Sequence, residues 1–360
     1  MFFVGDVLCD RYKLNELINR GGMGEVWIAE DKALERNVAI KTINPNFLKS
    51  NPGAISIFKD EAIIGASLLG QPNVVAILDY GKQKVELDNE EYFIVMEYID
   101  GIDVSKFINE IKPKLSEETY YYISLFIAWE MCRAIEYAHK QGILHRDIKP
   151  QNAFISKYGI TKVGDFGLSR FVDEITRTHT VSNFNSPPYC APEQWRGGKI
   201  TRETDIYQLG CTLYQLFTGN FIYNKSRVAQ MLAHLEDIPV PPKNYSTNMS
   251  EELSDGILKM VAKNEEDRGS LWELNDIIAK ELHKTFSLTI SVDKNNKNEI
   301  KKVCELTDFS DENFLEKGES SYDFPDFNEI LSEGIQLILQ DITTFEIKAM
   351  EKSENLITTS

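Results

Sequence analysis

The sequence predicts an α+β protein with a small, sheet-rich first lobe joined to a larger helical lobe. Three observations carry that prediction. Short β-rich runs fill most of the first hundred residues, and the stretch 116–140 is long, aromatic-rich and free of Pro and Gly. Strands also come first and helices later, instead of alternating as they would around a parallel sheet.

The chain has 360 residues, which allows one large two-lobed unit or two domains. Hydrophobic residues make up 42% and aromatics 11%, enough for a packed core and too many for a disordered chain. A net charge of −17 argues against nucleic acid as a partner, since phosphate backbones are held by clustered Lys and Arg. It does not exclude a nucleotide, which a few backbone amides, one Lys and a metal can hold. The five cysteines (Cys9, Cys132, Cys190, Cys211, Cys304) are scattered without CxxC spacing, so free thiols in a reducing compartment are expected. No basic-then-apolar leader opens the sequence, and it has no unbroken apolar run of about 18 residues. A cytoplasmic protein without a membrane partner is the resulting expectation.

Val26 to Ala29 and Val38 to Lys41 read as strands around a charged turn. Residues 54–69 have apolar positions at helical spacing, and Val74 to Leu78 and Phe93 to Met96 resume the strand pattern. After Gly101 helix prevails. From Lys284 to Ser360 there are 8 Lys/Arg and 16 Asp/Glu, so this last fifth holds about half of the excess negative charge. Residues 327–350 regain apolar spacing compatible with an amphipathic helix. The domain boundaries expected are 5–283 for one two-lobed domain, divided near residue 100, and 284–360 for an acidic extension that could bind a regulatory partner.

Chemistry gathers in a few short motifs. Asn19-Arg20-Gly21-Gly22-Met23-Gly24-Glu25-Val26 joins two expected strands, and its glycines can offer backbone N–H groups to phosphates. Alone it is a weak signal, because glycine-rich hairpins are common. Lys41 ends a Val-Ala-Ile-Lys strand 17 residues after Gly24. His145-Arg146-Asp147-Ile148-Lys149-Pro150-Gln151-Asn152 is more specific. It sets a carboxylate, a cation and an oxygen ligand on one short loop, the set that phosphoryl transfer needs. Asp165-Phe166-Gly167 follows Asn152 by 13 residues, after two short apolar runs able to form a hairpin, and Glu193 of Ala191-Pro192-Glu193 lies 28 beyond Asp165.

The ordered set resembles the protein kinases, and most closely the bacterial, eukaryotic-like Ser/Thr kinases, over roughly residues 5–283. The resemblance implies the bilobal protein-kinase fold and transfer of the γ-phosphate of ATP to a protein hydroxyl with Mg²⁺, for which Mn²⁺ can substitute. It implies that Lys41 contacts the α- and β-phosphates and pairs with Glu61, with Asp60 one position off as the alternative. Asp147 would orient the substrate hydroxyl, Lys149 offset charge on the γ-phosphate, and Asn152 and Asp165 hold the metal. Adenine would sit under Val26 and Ala39 and over Phe154. Met96 would precede the hinge, and Glu97, Tyr98 and Ile99 would offer backbone hydrogen bonds. Ser186 would bond to the catalytic loop, Asp205 brace it, and Glu193 and Arg268 form a structural ion pair. Arg146 before Asp147 implies control by an activation-loop phosphate. Thr176, Thr178, Thr180 and Ser182 are the candidates, Thr178 and Thr180 foremost.

Four positions depart from the family pattern. Asn19 replaces the first glycine of the loop, where tolerance of positive φ would let the turn survive. Asn185 replaces a glycine before Ser186, and Gly65 stands where a Leu usually fills the spine. Gln151 replaces a Glu found in kinases that prefer Arg near the acceptor, so a basic consensus is not implied. A pseudokinase acting as a scaffold is the rival reading; such proteins normally lack one of Lys41, Asp147 or Asp165, and all three are here. A small-molecule kinase of related fold would generally lack the Ala-Pro-Glu segment.

Overall fold

Alternation of period two builds the first sheet. Val38 and Ile40 pack with Trp27, Phe93 and Val95 on one face, while Ile43, Ile94 and Met96 turn to the other, against Ile57 and Phe58. The computed structural model describes residues 2–286, apart from 22–23, 52, 87–88 and 167–185. The strands are β1 (Val7–Leu8), β2 (Tyr12–Arg20), β3 (Gly24–Asp31), β4 (Arg36–Ile43), β5 (Ile77–Glu86) and β6 (Asn89–Glu97). They form one antiparallel sheet in the order β1-β2-β3-β4-β6-β5. Helix α1 (Pro45–Ser50) starts at Asn44, whose side chain accepts from Asn46 N–H, and α2 (Ala54–Ser67) packs across the sheet.

The second lobe has a small sheet, β7 (Gly101–Asp103), β8 (Ala153–Ser156) and β9 (Thr161–Val163), and a helical body. The body comprises α3 (Glu117–Lys140), α4 (Arg202–Thr218), α5 (Arg227–Glu236), α6 (Glu251–Met260) and α7 (Leu271–Phe286). Nearly all of α4 is buried, as a central helix must be, and Gly219 at φ +78° ends it. The strand expected from Val74 to Leu78 begins only at Ile77: Val74 instead bridges to Val163 and Val75 N–H donates to Val163 O at 2.9 Å. The four cysteines among the described residues are free thiols, three of them buried. No helix among the described residues is long and apolar enough to cross a membrane. Residues 287–360, including the amphipathic stretch, lie outside the described residues.

Two buried acids hold the lobe together in opposite ways. Glu193 takes a two-pronged pair of bonds from Arg268, 2.8 and 2.7 Å long, and Arg268 also donates to Ala262 and Glu203 carbonyls. Burial would raise Glu193, but Arg268 outweighs it and holds the carboxyl below its ordinary range. Glu130 of α3 has no bonded cation among the described residues. It accepts from Asn73 Nδ2 at 3.0 Å and Thr161 N–H at 2.6 Å, and burial pushes it up to about 8.

A carboxyl raised in the fold favours the folded state at low pH, and that contribution is lost as pH rises through its folded value. The contribution of Glu130 should therefore fall between about pH 4.5 and about pH 8, by at most about 1.4 kcal/mol per pH unit. Glu130→Gln should remove that fall, read from urea unfolding at a series of pH values. An unchanged slope would mean that Glu130 is already ionised in the fold.

Candidate active site

The cleft between the lobes is built from β4, α2, the loop before β8, and the residues after β9. On β4, Ala39, Lys41 and Ile43 share the face turned towards α2 and the cleft, and Lys41 is largely buried there. Its Nζ lies 3.0 Å from Glu61 Oε1 and 2.8 Å from Asp165 Oδ1. Two carboxylates thus share one ammonium. Burial pushes Glu61 up to about 7 despite Lys41, whereas at Asp165 the pull of Lys41 overcomes burial and keeps the carboxyl below its ordinary range. Lys41 itself is raised, because Asp165 and Glu61 together overcome the cost of burying its charge. Asp165 is thus the firmer anion, and Glu61 the acid that titrates near neutrality.

The loop from His145 to Asn152 is held from beneath by α4. Asp205, near the start of that helix and fully buried, accepts from His145 N–H (2.8 Å), Arg146 N–H (2.6 Å) and His139 Nε2 (2.8 Å). Three residues on, Gln208 accepts from Ile148 N–H at 2.9 Å and donates to Arg146 O at 2.8 Å. Thr212, four further on, donates to Ile148 O at 3.3 Å. Asp205, Gln208 and Thr212 thus form one stripe of the helix, spaced so that all three face the loop. Their bonds hold Arg146 at φ +71°, a left-handed conformation that costs a non-glycine residue about 1 kcal/mol or more.

That bracing presents Asp147 to the cleft. Asp147 Oδ2 lies 2.6 Å from Lys149 Nζ, and its Oδ1 accepts from Ser186 Oγ at 2.8 Å. Lys149 also reaches Ser186 Oγ at 2.9 Å, closing a triangle of acid, ammonium and hydroxyl. Asn152 Nδ2 donates to Asp147 O at 2.9 Å, which turns its amide oxygen the other way. Gly164 N–H donates to Asn152 O at 2.8 Å, and His145 Nε2 donates to Gly164 O at 2.8 Å, so the loop and the approach to Asp165 form one unit. Phe166 is buried with its ring 4.6 Å from that of His145.

Asp165 and Asn152 offer oxygen to a hard cation, and among the described residues no group of three or more His, Cys, Asp and Glu gathers as a closed metal cage would require. Two protein oxygens leave the other positions of a divalent cation to waters and phosphates.

The remaining sequence-derived candidates fall around the cleft. Gly21 N–H donates to Gly24 O at 2.8 Å, pinching the turn between β2 and β3; Gly22 and Met23 lie outside the described residues. A Cβ on Gly24 would stand 1.8 Å from Thr42 O, so only glycine fits. Asn19 needs no glycine-like freedom: it pairs with Val26 inside the hairpin and has no positive φ, which corrects the expectation attached to it. Ala39 faces Met96 in the β4–β6 ladder, and Phe154 lies on β8 beside Gly164. At the hinge, the fold narrows what Glu97 can offer. Glu97 N–H is used internally, donating to Ala76 O at 2.9 Å, so of its backbone groups only the carbonyl is left for a ligand. Tyr98 and Ile99 follow at the hinge, half-buried. Gly65 is no gap: a Cβ there would lie 2.5 Å from Ile77 Cγ1, so Ile77 fills the space that a larger side chain would occupy. Thr176, Thr178, Thr180, Ser182 and Asn185 lie outside the described residues. Gln208 and Thr212 were not singled out from the sequence; their spacing from Asp205 is the signal that marks them.

This arrangement defines a protein kinase domain, and comparison with known proteins agrees. The protein kinase domain family matches residues 12–282, and the chain belongs to that family. Among curated proteins it is 37% identical over 266 residues to a probable serine/threonine-protein kinase of Clostridium perfringens, covering 74% of this chain and 37% of that one. It is 35% identical over 264 residues to serine/threonine-protein kinase PknB of Mycobacterium leprae, covering 72% of this chain and 41% of that one. The chain therefore matches about two fifths of the length of such relatives. The PknI kinase domain of Mycobacterium tuberculosis superposes with a TM-score of 0.59 at 23% identity, over 79% of this chain and all of that domain, which speaks for the fold.

Proposed function

We propose that this chain is a Ser/Thr protein kinase that moves the γ-phosphate of ATP to a Ser or Thr hydroxyl of a protein, with Mg²⁺, in the cytoplasm. The observation that carries this reading is the Asp147–Lys149–Ser186 triangle facing the Lys41–Asp165 pair across one cleft. Serine/threonine kinases named among its relatives support the choice of acceptor. The presence of all of Lys41, Asp147 and Asp165 weighs against a scaffold without activity.

On this reading Lys41, fixed by Glu61, holds the nucleotide's phosphates, and the turn from Gly21 to Gly24 covers them with backbone N–H groups. Adenine stacks between Val26 and Ala39 above and Phe154 below. Asp165 and Asn152 would hold the Mg²⁺, which would supply positive charge beside the nucleotide's phosphates. The acceptor hydroxyl lies against Asp147. The bond between the γ-phosphorus and the β–γ bridging oxygen breaks, a bond from phosphorus to the acceptor oxygen forms, and the hydroxyl proton passes towards Asp147. Lys149 sits where it offsets the charge of the moving phosphoryl group. Ser186 holds Asp147 in place from the substrate side. Arg146, beside the catalytic acid, links activity to phosphorylation within 176–182, and the acidic extension 284–360 serves a regulatory partner.

The test is to incubate purified protein with Mg²⁺-ATP and map phosphate by mass spectrometry, with Asp147→Asn in parallel. Phosphate on Thr176 to Ser182 in the wild type alone is the expected result. Nucleotide binding without any transfer, to itself or to a general protein substrate, would sink this reading.

A further inference from the structure

The helical lobe carries a groove that the phosphoryl-transfer chemistry does not use. It lies between α6 and the first turns of α7, has a volume of about 400 Å³, and shares no residue with the active site. Met260, Leu274, Ile277 and Trp272 give it an apolar lining. Among the described residues that line it, four are acids and Lys259 is the one cation. Two of the acids are already engaged. Glu273 accepts from Lys259 Nζ and Ser270 N–H, both at 3.2 Å, and Asp276 pairs with Lys280 at 2.8 Å. Glu252 and Asp255 are exposed and pair with no cation among the described residues. They stand three residues apart on α6, so they share one face of that helix. Trp272 is 58% exposed, whereas the other three tryptophans, Trp27, Trp129 and Trp195, are buried. An open indole in one groove with two unpaired carboxylates suits a guanidinium. Its flat face stacks on the ring while its N–H groups reach the acids.

We propose that this groove docks a basic segment of a partner protein, with an arginine seated on Trp272 and held by Glu252 and Asp255. Charge decides the occupant. The extension from Lys284 to Ser360 carries 16 Asp/Glu against 8 Lys/Arg, so an acidic groove repels it. A second copy of a chain with net charge −17 is disfavoured for the same reason. A segment rich in arginine meets the opposite sign, and the field of the whole chain draws it in. Arginine fits better than lysine, because its planar fork can stack on an aromatic face and bond to two carboxylates at once. An exposed tryptophan in a groove is also the residue type that most often anchors a protein interface. None of the groove residues takes part in catalysis, so docking and phosphotransfer can be measured apart.

The inference stands apart from the kinase reading, because its test needs no ATP. The probe is a fluorescein-labelled peptide of alternating Arg and Ala, titrated with the full chain and read by anisotropy. Trp272→Ala, and Glu252→Gln combined with Asp255→Asn, should each weaken binding about tenfold. Trp272→Phe keeps an aromatic face and should lose only about twofold. Glu35→Gln combined with Glu236→Gln removes the same charge from exposed positions outside the groove, and should bind within about twofold of the wild type. A second readout is acrylamide quenching of tryptophan fluorescence, which reaches Trp272 far more readily than the three buried rings. Saturating unlabelled peptide should shield Trp272, and the same peptide with citrulline for arginine should neither bind nor shield. Unfolding midpoints should match across the variants, since every substituted side chain is exposed. Equal weakening by the groove and control variants would mean diffuse attraction to a negative chain and would overturn the proposal. So would a peptide that fails to bind, or one that binds while Trp272 stays open to acrylamide.

Discussion

Asp147→Asn should lower the rate of phosphotransfer by about 10²- to 10⁴-fold while leaving ATP affinity within about twofold of the wild type. The substitution keeps shape and volume, so what changes is charge and proton-accepting power. In the wild type the carboxylate accepts from Lys149 and Ser186 at 2.6 and 2.8 Å. An Asn has one acceptor oxygen and two N–H donors in their place. Ser186 can turn its hydroxyl and accept instead, but Lys149 has only donors and must take the remaining oxygen or move away. The acceptor hydroxyl then meets a neutral amide that cannot take its proton. Binding of ATP depends on Lys41, Asp165 and the glycine turn, none of which bonds to the Asp147 side chain among the described contacts, and on Asn152, whose Nδ2 gives that side chain only a long 3.3 Å bond and stays anchored on Asp147 O at 2.9 Å, so affinity should hold. A loss in affinity as large as the loss in rate would mean that Asp147 shapes the nucleotide site itself.

The catalytic loop was legible because its chemistry is local. His145 to Asn152 places acid, cation and amide within eight consecutive residues, and such spacing survives without any knowledge of tertiary structure. The partner of Lys41 came from the family resemblance, which implied Glu61 and left Asp60 as the alternative; the fold brings Glu61, on the buried face of α2, to Lys41. What could not be read were pairings between residues far apart in the chain with no periodic signature of their own. Asn73 with Glu130 is one case, Glu97 with Lys162 another; each partner alone looks like an ordinary solvated polar residue. Asn19 and Gly65 are departures from a pattern whose local surroundings the sequence does not show. The first sits in regular strand pairing and the second faces Ile77, so local packing had already absorbed both departures. The start of β5 slipped for a similar reason, since Val74 and Val75 satisfy their backbone against β9 instead of the first sheet.

Asp205→Ala should cost about 3–5 kcal/mol of stability and abolish most activity, although Asp205 lies beneath the loop and not in the cleft. The carboxylate is fully buried and takes three donors: two backbone N–H groups of the catalytic loop and His139. Truncation leaves His145 N–H without its acceptor in a site closed to water, and an orphaned buried donor is far more costly than a bond that was never there. The local consequence is larger than the global one. Arg146 stays in the left-handed region only while Asp205 holds its N–H and Gln208 its carbonyl. With one side released, Arg146 relaxes towards ordinary φ, and Asp147, the next residue, swings off its bonds to Lys149 and Ser186. Asp205→Asn makes the distinction measurable. It keeps one oxygen for the backbone but sets an N–H₂ against one of the remaining donors, so it should fold with a smaller loss, about 1–3 kcal/mol. Its activity should still fall by much more than its stability. If activity instead followed the folded fraction alone across both variants, read by urea unfolding beside initial rates, Asp205 would be a core residue with no hold on the geometry of the loop.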